Sequence, residues 1–345
     1  MTIRYSIIIP VYNRPDELNE LLASLAIIKK KREQAGKRSS SGQTEWEVII
    51  VEDGSVLRSE DVCKEYSSAL DVTYLYQKNA GPAAARNTGS RSARGEWLIF
   101  FDSDCIIPEG YFEAVNSALE DGSIDFFGGP DRAASEFSAT QKAIDYAMTS
   151  FLTTGGIRGG RRKLDRYYPR SFNKGVRKSA FDDVGGFSGL RFGEDLDLSM
   201  RLMEAGYRSA LIEKAWVYHK RRTDFRKFFK QVYNSGMARV VLNRLHPGTM
   251  KLVHLLPSIF VLYLLAALVS LLIAPGVMWY PVGILAVVLF IDGFRSTGSI
   301  GASLLGPPAG FVQLCGYGSG LMHAVILIHV LGRNRASAFE ETFYK

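Results

Sequence analysis

Residues 252–274, LVHLLPSIFVLYLLAALVSLLIA, contain no Asp, Glu, Lys or Arg. A helix crosses the hydrocarbon core of a bilayer in about 20 apolar residues, so this run predicts a membrane span, with a buried soluble helix as the alternative. VMWYPVGILAVVLFI (277–291) follows Pro275 and Gly276 and reads as its hairpin partner. A third run, GFVQLCGYGSGLMHAVILIHVLG (310–332), is interrupted by glycines and by His323 and His329. That pattern suits a packed or re-entrant helix as well as a lipid-facing one. Arg239, Arg244 and Lys251 lie before the first run and Arg295 just beyond the second. The positive-inside tendency then puts the N-terminal part on the cytoplasmic side of the inner (cytoplasmic) membrane. Three full crossings would place the basic start of the tail outside, so the side of the C-terminus stays open.

The rest of the chain is of a different kind. Of its 345 residues 22% are charged, with a net charge of +7. Such an excess suits phosphate-bearing substrates or an acidic membrane surface. No stacking or groove-reading motif accompanies it, so a nucleic-acid partner is not expected. Cys63, Cys105 and Cys315 are far apart and form no CxxC pair, against a zinc site or a disulfide framework. MTIRYSIIIPVYN has too short an apolar stretch for a secretory signal and reads as a first strand. Strand signals at 5–13, 46–55, 72–76 and 96–101 alternate with helix signals from Pro15, around 58–70 and at 81–93. KKKREQAGKRSSSGQTE (29–45) reads as a charged surface loop. The alternation implies an α/β fold with a mostly parallel sheet, whose ligands sit beyond the carboxyl ends of the strands.

Polar residues gather at those ends: Asn13 after the first strand, Glu52 and Asp53 after the second, Asp102 and Asp104 after WLIFF. Each alone is an ordinary turn; their shared edge is what matters. Continued strand alternation would point Asp102 and Asp104 to one side, where two carboxylates repel unless a cation lies between them. Hard oxygen donors of this kind suit Mg²⁺ or Mn²⁺ held together with substrate phosphates.

SIIIPVYNRPDEL, VIIVEDGS, NAGPAAARNTGSRSARGEWLIFFDSD and GVRKSAFDDVGGFSGLRFGEDLDLSMRL, in this order and spacing, resemble the family 2 glycosyltransferases of GT-A fold over residues 4–222. The resemblance implies a GT-A domain over 1–235; the apolar runs set a membrane region over 251–332, with a connector over 236–250 and a tail over 333–345. It also implies an inverting, metal-dependent enzyme using a nucleotide sugar, a UDP-sugar ahead of a GDP-sugar. Pro10, Tyr12 and Asn13 would line the nucleoside pocket, with Asp53 on the base and Glu52 beside it, where the family more often has Asp. Arg86 and Asn87 would lie near the nucleotide, Asp102 and Ser103 on the ribose side, and Asp104 on the metal and diphosphate. Asp195 of FGEDLDL would be the general base and Glu194 its helper; Asp197 could equally be a helix-start acid. His219 of WVYHKRR could complete the metal sphere, although a lone His is more often structural.

Acceptor contacts are expected at Gly128 and Gly129, at Asn173, and in the Arg-rich stretch 155–175 through Arg158, Arg161, Arg162 and Arg170, for which a solvated loop is the alternative. The family's processive QxxRW is missing, since QVYNS (231–235) lacks both Arg and Trp, so addition of a single sugar is expected. The acceptor implied is a lipid-linked glycan of cell-envelope polysaccharide assembly. Transfer to polyprenyl phosphate, or a non-catalytic nucleotide-sugar-binding subunit, are the alternatives.

Overall fold

A computed structural model describes residues 3–34, 46–132, 137–156, 167–220, 224–272 and 276–333. Two units emerge, Met1–Ala134 with Tyr167–Lys220, and Ser135–Arg166 with Arg221–Lys345. The helix that runs through residue 235 falls in the second unit.

In the first unit β1 (Tyr5–Val11), α1 (Pro15–Gln34), β2 (Trp46–Asp53), α2 (Glu60–Tyr66), β3 (Val72–Gln77), α3 (Pro82–Ser92) and β4 (Trp97–Phe101) alternate as the sequence indicates. β5 (Cys105–Ile106), α4 (Tyr111–Leu119), β6 (Phe126–Gly128) and β7 (Asp131–Arg132) follow. α1 starts with Pro15, Asp16 and Glu17 and runs through KKKREQ to Gln34, so residues 29–34 of the expected loop are helix, and 35–45 lie outside the described residues. Its basic last turn complements the helix dipole. After α5 (Ala139–Thr149) and α6 (Phe151–Thr154) of the second unit come β8 (Asn173–Arg177), α7 (Lys178–Asp183), α8 (Glu194–Glu204), β9 (Ser209–Leu211) and β10 (Val217–His219).

The main sheet has the order β3-β2-β1-β4-β8-β6-β9. It is parallel except where β8 runs antiparallel to β4 and to β6. One face buries Tyr5, Ile7, Ile9, Val48, Ile50, Ile99 and Phe101, the other Ile8, Ile49, Val51, Leu98, Phe100 and Val176. Covering on both sides is why these strands read as unbroken apolar runs. Chain order reverses between β1 and β4, and their pairing stops at Ile8, so a crevice opens beyond their carboxyl ends. A small second sheet, β5-β10-β7, pairs His219 with Cys105.

In the second unit α9 (Phe225–Leu245) is followed by α10 (Leu256–Ser270), α11 (Tyr280–Thr297), α12 (Ile300–Leu304) and α13 (Gly306–Val325). Three stretches, Leu252–Ser270, Val277–Thr297 and Gly306–Val330, are long and apolar enough to cross a membrane. The third is half buried, against 22% and 11% for the others, because its glycines meet α9. A Cβ on Gly320 would stand 2.0 Å from the Tyr233 carbonyl oxygen, and one on Gly236 2.1 Å from that of Tyr317. Glycine thus lets the two backbones touch, which accounts for the weak hydropathy of this run. Asp292, an acid within the second apolar stretch, accepts hydrogen bonds from Tyr146 and Ser150, each at 2.8 Å.

Candidate active site

The site is built from the carboxyl ends of β1 and β4, the start of α3, the start of α8 and the end of β10. β4 stops at Phe101, and Asp102 to Asp104 form a turn closed by the Cys105 amide donating to the Asp102 carbonyl at 3.1 Å. The two carboxylates are therefore not brought together by strand alternation; His219 joins them. Its Nε2 lies 3.2 Å from Asp104 Oδ1 and 4.0 Å from Asp102 Oδ2, while Nδ1 faces Asp131 Oδ2 at 3.8 Å. Phe172 stacks on the imidazole at 4.9 Å. Burial works against charge on His219, but Asp104, Asp131 and Asp102 outweigh it and raise its pKa to about 9. Burial also opposes the Asp104 anion, yet His219 and Arg14 hold it well below the usual carboxylate range. Arg14 Nη1 donates to Asp104 Oδ2 at 2.6 Å.

This donor set suits a hard divalent cation. Asp104 Oδ1 is buried and, although His219 Nε2 lies 3.2 Å away, receives no well-aligned hydrogen bond, so a metal would satisfy it. Asp104, Cys105 and His219 each offer an atom within 4.8 Å of the others. Burial pushes the Cys105 thiol well above its ordinary pKa, with Asp102 and Asp104 adding to the effect. Sγ donates to the Phe172 carbonyl at 3.5 Å. The neutral thiol is thus a packing group, which leaves Asp104 and His219 as the cation-type donors of this group, the imidazole giving up its proton when it ligates.

The charge chain continues into α8. Arg86, 3% exposed, donates to Asp102 Oδ1 at 2.7 Å and to Glu194 Oε1 at 3.1 Å. The α8 N-cap, Gly193, has φ +76°, a left-handed turn that glycine adopts without strain, and Glu194 and Asp195 follow it directly. Burial and the neighbouring Asp195 raise Glu194 to about 7, against the pull of Arg86. Asp195 is lowered despite its burial, by Arg170, Lys174 and Arg86. Arg170 Nε lies 2.8 Å from Asp195 Oδ2, and the Leu196 amide donates to Oδ1 at 2.8 Å. Asp197 pairs with Arg201 at 2.9 Å, and Arg201 in turn donates to the Val184 and Gly186 carbonyls.

Several of the residues expected to touch substrate also brace the chain internally. Glu52 is fully buried and accepts from Ser55, from the Ser59 amide at 2.7 Å and from Tyr74, so it shapes the loop after β2. Asn13, at φ +54°, accepts from the Val56 and Leu57 amides and ties the β1 and β2 loops together. Asn87 exchanges two hydrogen bonds with the Phe187 backbone, 2.8 and 2.9 Å, docking α3 on the segment ahead of α8. Asn173 is fully buried between Tyr111 OH, at 2.7 Å, and the Ala215 carbonyl, at 2.8 Å. A Cβ on Gly128 would meet Tyr167 OH at 2.6 Å, and one on Gly129 would stand 1.6 Å from the Ala215 carbonyl oxygen. These glycines let the backbone approach the protein's own chain closely. Asp53 accepts from Gln77, Ala80 and Gly81, Ser103 is buried, and Tyr12 is 52% exposed. Pro10 is half-buried at the crevice. Arg158, Arg161 and Arg162 lie outside the described residues.

Lys174 and Arg14 escaped the sequence reading, and the pairing of Arg170 with Asp195 was not foreseen. Their proximity to Asp195 and Asp104 arises only on folding.

The model of the glycosyl transferase family 2 matches residues 6–193. An uncharacterized glycosyltransferase of Haemophilus influenzae is 31% identical over 202 residues, 58% of this chain and 62% of that protein. The minor teichoic acid biosynthesis protein GgaB of Bacillus subtilis is 23% identical over 224 residues, 64% of this chain and 23% of its own. The chain thus spans less than two thirds of the length of either. Among solved structures, the mannosyltransferase PcManGT from Pyrobaculum calidifontis, in complex with GDP-Man and Mn²⁺, superposes with a TM-score of 0.58 at 14% identity, covering 90% of this chain and 88% of that one. That likeness is one of fold, and the fold is GT-A.

Proposed function

The chain belongs to glycosyl transferase family 2, and we propose that it moves one sugar from a nucleotide-sugar donor to an acceptor hydroxyl with inversion at the anomeric carbon. One observation carries the reading: a connected series of charges, Arg14–Asp104–His219–Asp102–Arg86–Glu194, part-exposed at Arg14 and Asp102 and buried at Arg86, leads from metal-type donors to the acid pair of α8. Asp102, Asp104 and His219 would hold Mn²⁺ or Mg²⁺, which when bound neutralises charge on the departing diphosphate. Arg14, a third exposed, is free to turn from Asp104 to a phosphate oxygen. The half-exposed ring of Tyr12 offers a face to the base, and Asp53 keeps lone pairs beyond its three internal bonds.

Asp195 takes the proton of the acceptor hydroxyl as its oxygen attacks the anomeric carbon and the bond to the diphosphate breaks. Arg170 and the Leu196 amide fix that carboxylate in place, and Arg86 fixes Glu194 beside it. No covalent intermediate is required. The apolar helices favour a membrane-held acceptor, a lipid-linked glycan of the cell envelope, with the catalytic unit on the cytoplasmic side. The relationship to a teichoic acid biosynthesis protein supports that acceptor class.

The test is transfer or donor hydrolysis by full-length protein in detergent, against a panel of UDP- and GDP-sugars with Mn²⁺. Chelation by EDTA should abolish turnover and Mn²⁺ should restore it. Asp195→Asn should lose turnover while donor binding still protects the protein from thermal unfolding. Wild-type rates in that variant would sink the mechanism.

A further inference from the structure

We propose that Lys174 is a positioning residue for the transfer step: its amine, seated under the first turn of α8, holds Asp195 in place and by its charge sets how strongly Asp195 binds a proton. The inference rests on Asp195 being the base. β8 pairs Lys174 with Phe100 on one side and Gly128 on the other. Along it, Asn173 points to the face carrying Tyr111, whereas Val176, two residues from Lys174, packs with Phe100 and Leu198. Lys174 thus enters the second face, and its side chain is fully buried, a rare state for lysine.

Nζ donates to the Asp195 carbonyl at 2.6 Å and to Ser199 Oγ at 2.9 Å. Ser199 Oγ has one proton to give and two carbonyls in reach, that of Asp195 at 2.9 Å and that of Pro169 at 3.1 Å. The ring of Phe187 lies 5.9 Å from Nζ. Two N–H donors meeting two acceptors is the complement of a neutral amine; an ammonium has a third proton to place.

The charged groups facing Lys174 are Asp195 and Glu194 from α8, Arg86 from α3 and Arg170 from the segment ahead of β8. Burial, joined by Arg86 and Arg170, brings the amine down to about 7 against the pull of the two acids. Below neutral pH the protonated amine adds a further cation beside Asp195 and weakens it as a base. Above neutral pH that cation is gone and the base strengthens.

The experiment compares the wild type with Lys174→Met, Ser199→Ala and Asp195→Asn, full length in detergent. It follows the single-turnover rate with Mn²⁺ and whichever UDP- or GDP-sugar the wild type consumes, from pH 5.5 to 9. The wild-type rate should rise through an inflection near pH 7 by roughly threefold, the effect of about one unit of base strength at a Brønsted slope near one half. Lys174→Met should shrink that rise, leaving only the part contributed by Glu194, which also loses its proton near 7. Ser199→Ala removes an acceptor that favours the ammonium, so it should move the inflection to lower pH.

Thermal unfolding supplies a readout independent of turnover. Folded Lys174 loses its proton near 7 and unfolded lysine near 10.5, so the cost of burying the charge is full below pH 7 and fades as pH rises toward 10.5. Lys174→Met should therefore melt above the wild type by a margin constant below pH 7 and shrinking at higher pH. An inflection unmoved in both variants, or a melting margin independent of pH, overturns the inference. Turnover surviving in Asp195→Asn would instead overturn the reading of the base.

Discussion

Replacing Arg86 with Met removes the cation that links Asp102 to Glu194. Arg86 is 3% exposed and holds the two carboxylates at 2.7 and 3.1 Å. Breaking a buried ion pair from one side costs about 3–5 kcal/mol, because the partner charge stays behind without compensation. Here Asp102 is 32% exposed and can rehydrate, whereas the Glu194 side chain is 11% exposed and cannot. The lower end, about 3 kcal/mol, is therefore expected, a fall of about 6–12 °C in the melting temperature of a unit this size. The assay is thermal unfolding of the full chain in detergent at pH 8, followed by tryptophan fluorescence. Trp46 and Trp97 are buried in the unit concerned and report its loss.

The decisive comparison is a double-mutant cycle. Glu194→Gln alone should cost little, since it removes a charge that burial already disfavours. In the Arg86→Met background it should restore at least about 1 kcal/mol, because it removes the charge left unpaired. A melting temperature within about 2 °C of wild type for Arg86→Met, or strict additivity in the double variant, would refute a buried Asp102–Arg86–Glu194 bridge.

Two further outcomes follow from the same geometry. Burial, with Asp195 beside it, raises Glu194 from 4.5 to about 7 in the folded protein. Its contribution to stability is then full below pH 4.5 and is lost as pH rises through about 7, so Glu194→Gln should flatten the melting temperature across that window; an unchanged slope would count against the shift. Gly129→Ala drives a methyl to 1.6 Å from the Ala215 carbonyl oxygen and should cost more than about 4 kcal/mol, beyond ordinary substitutions. Loss of folded protein on size exclusion is the expected reading, and a well-folded variant with only a raised acceptor KM would return Gly129 to the acceptor site.

The strands of the main sheet were legible because the sheet is covered on both faces, so β1, β2 and β4 could be read as continuous apolar runs. The switch of order between β1 and β4 follows from that alternation, and the strand-end acids fall beside it. Strand alternation stops at Phe101, so period-two spacing does not govern the DSD pair beyond it. Parity within β2, by contrast, held information. Glu52 shares its side with Val48 and Ile50, which pack in one core, and Asp53 with Ile49 and Val51, which pack in the other. Adjacent acids on a strand face opposite ways, so only Asp53 had access to the start of α3, where it caps the Ala80 and Gly81 amides.

The surroundings of the base were less legible, for a physical reason. A carboxylate's partners are chosen by tertiary geometry: Arg86 and Glu194 are 108 positions apart, and Asn87 and Phe187 are 100 apart. Composition gives no sign of such pairs. Lys174 is the extreme case, since a lysine between Asn173 and Gly175 looks like a solvated strand edge. Its burial becomes intelligible only once β8 is an interior strand, with β4 and β6 on either side and α8 over one face. An interior strand has no solvent for an ammonium, and the first turn of α8 presents a carbonyl and a hydroxyl at the right reach. The same location that hid Lys174 from the sequence is what gives its charge influence over Asp195, because at low dielectric a neighbouring cation acts on a carboxylate far more strongly than at the surface.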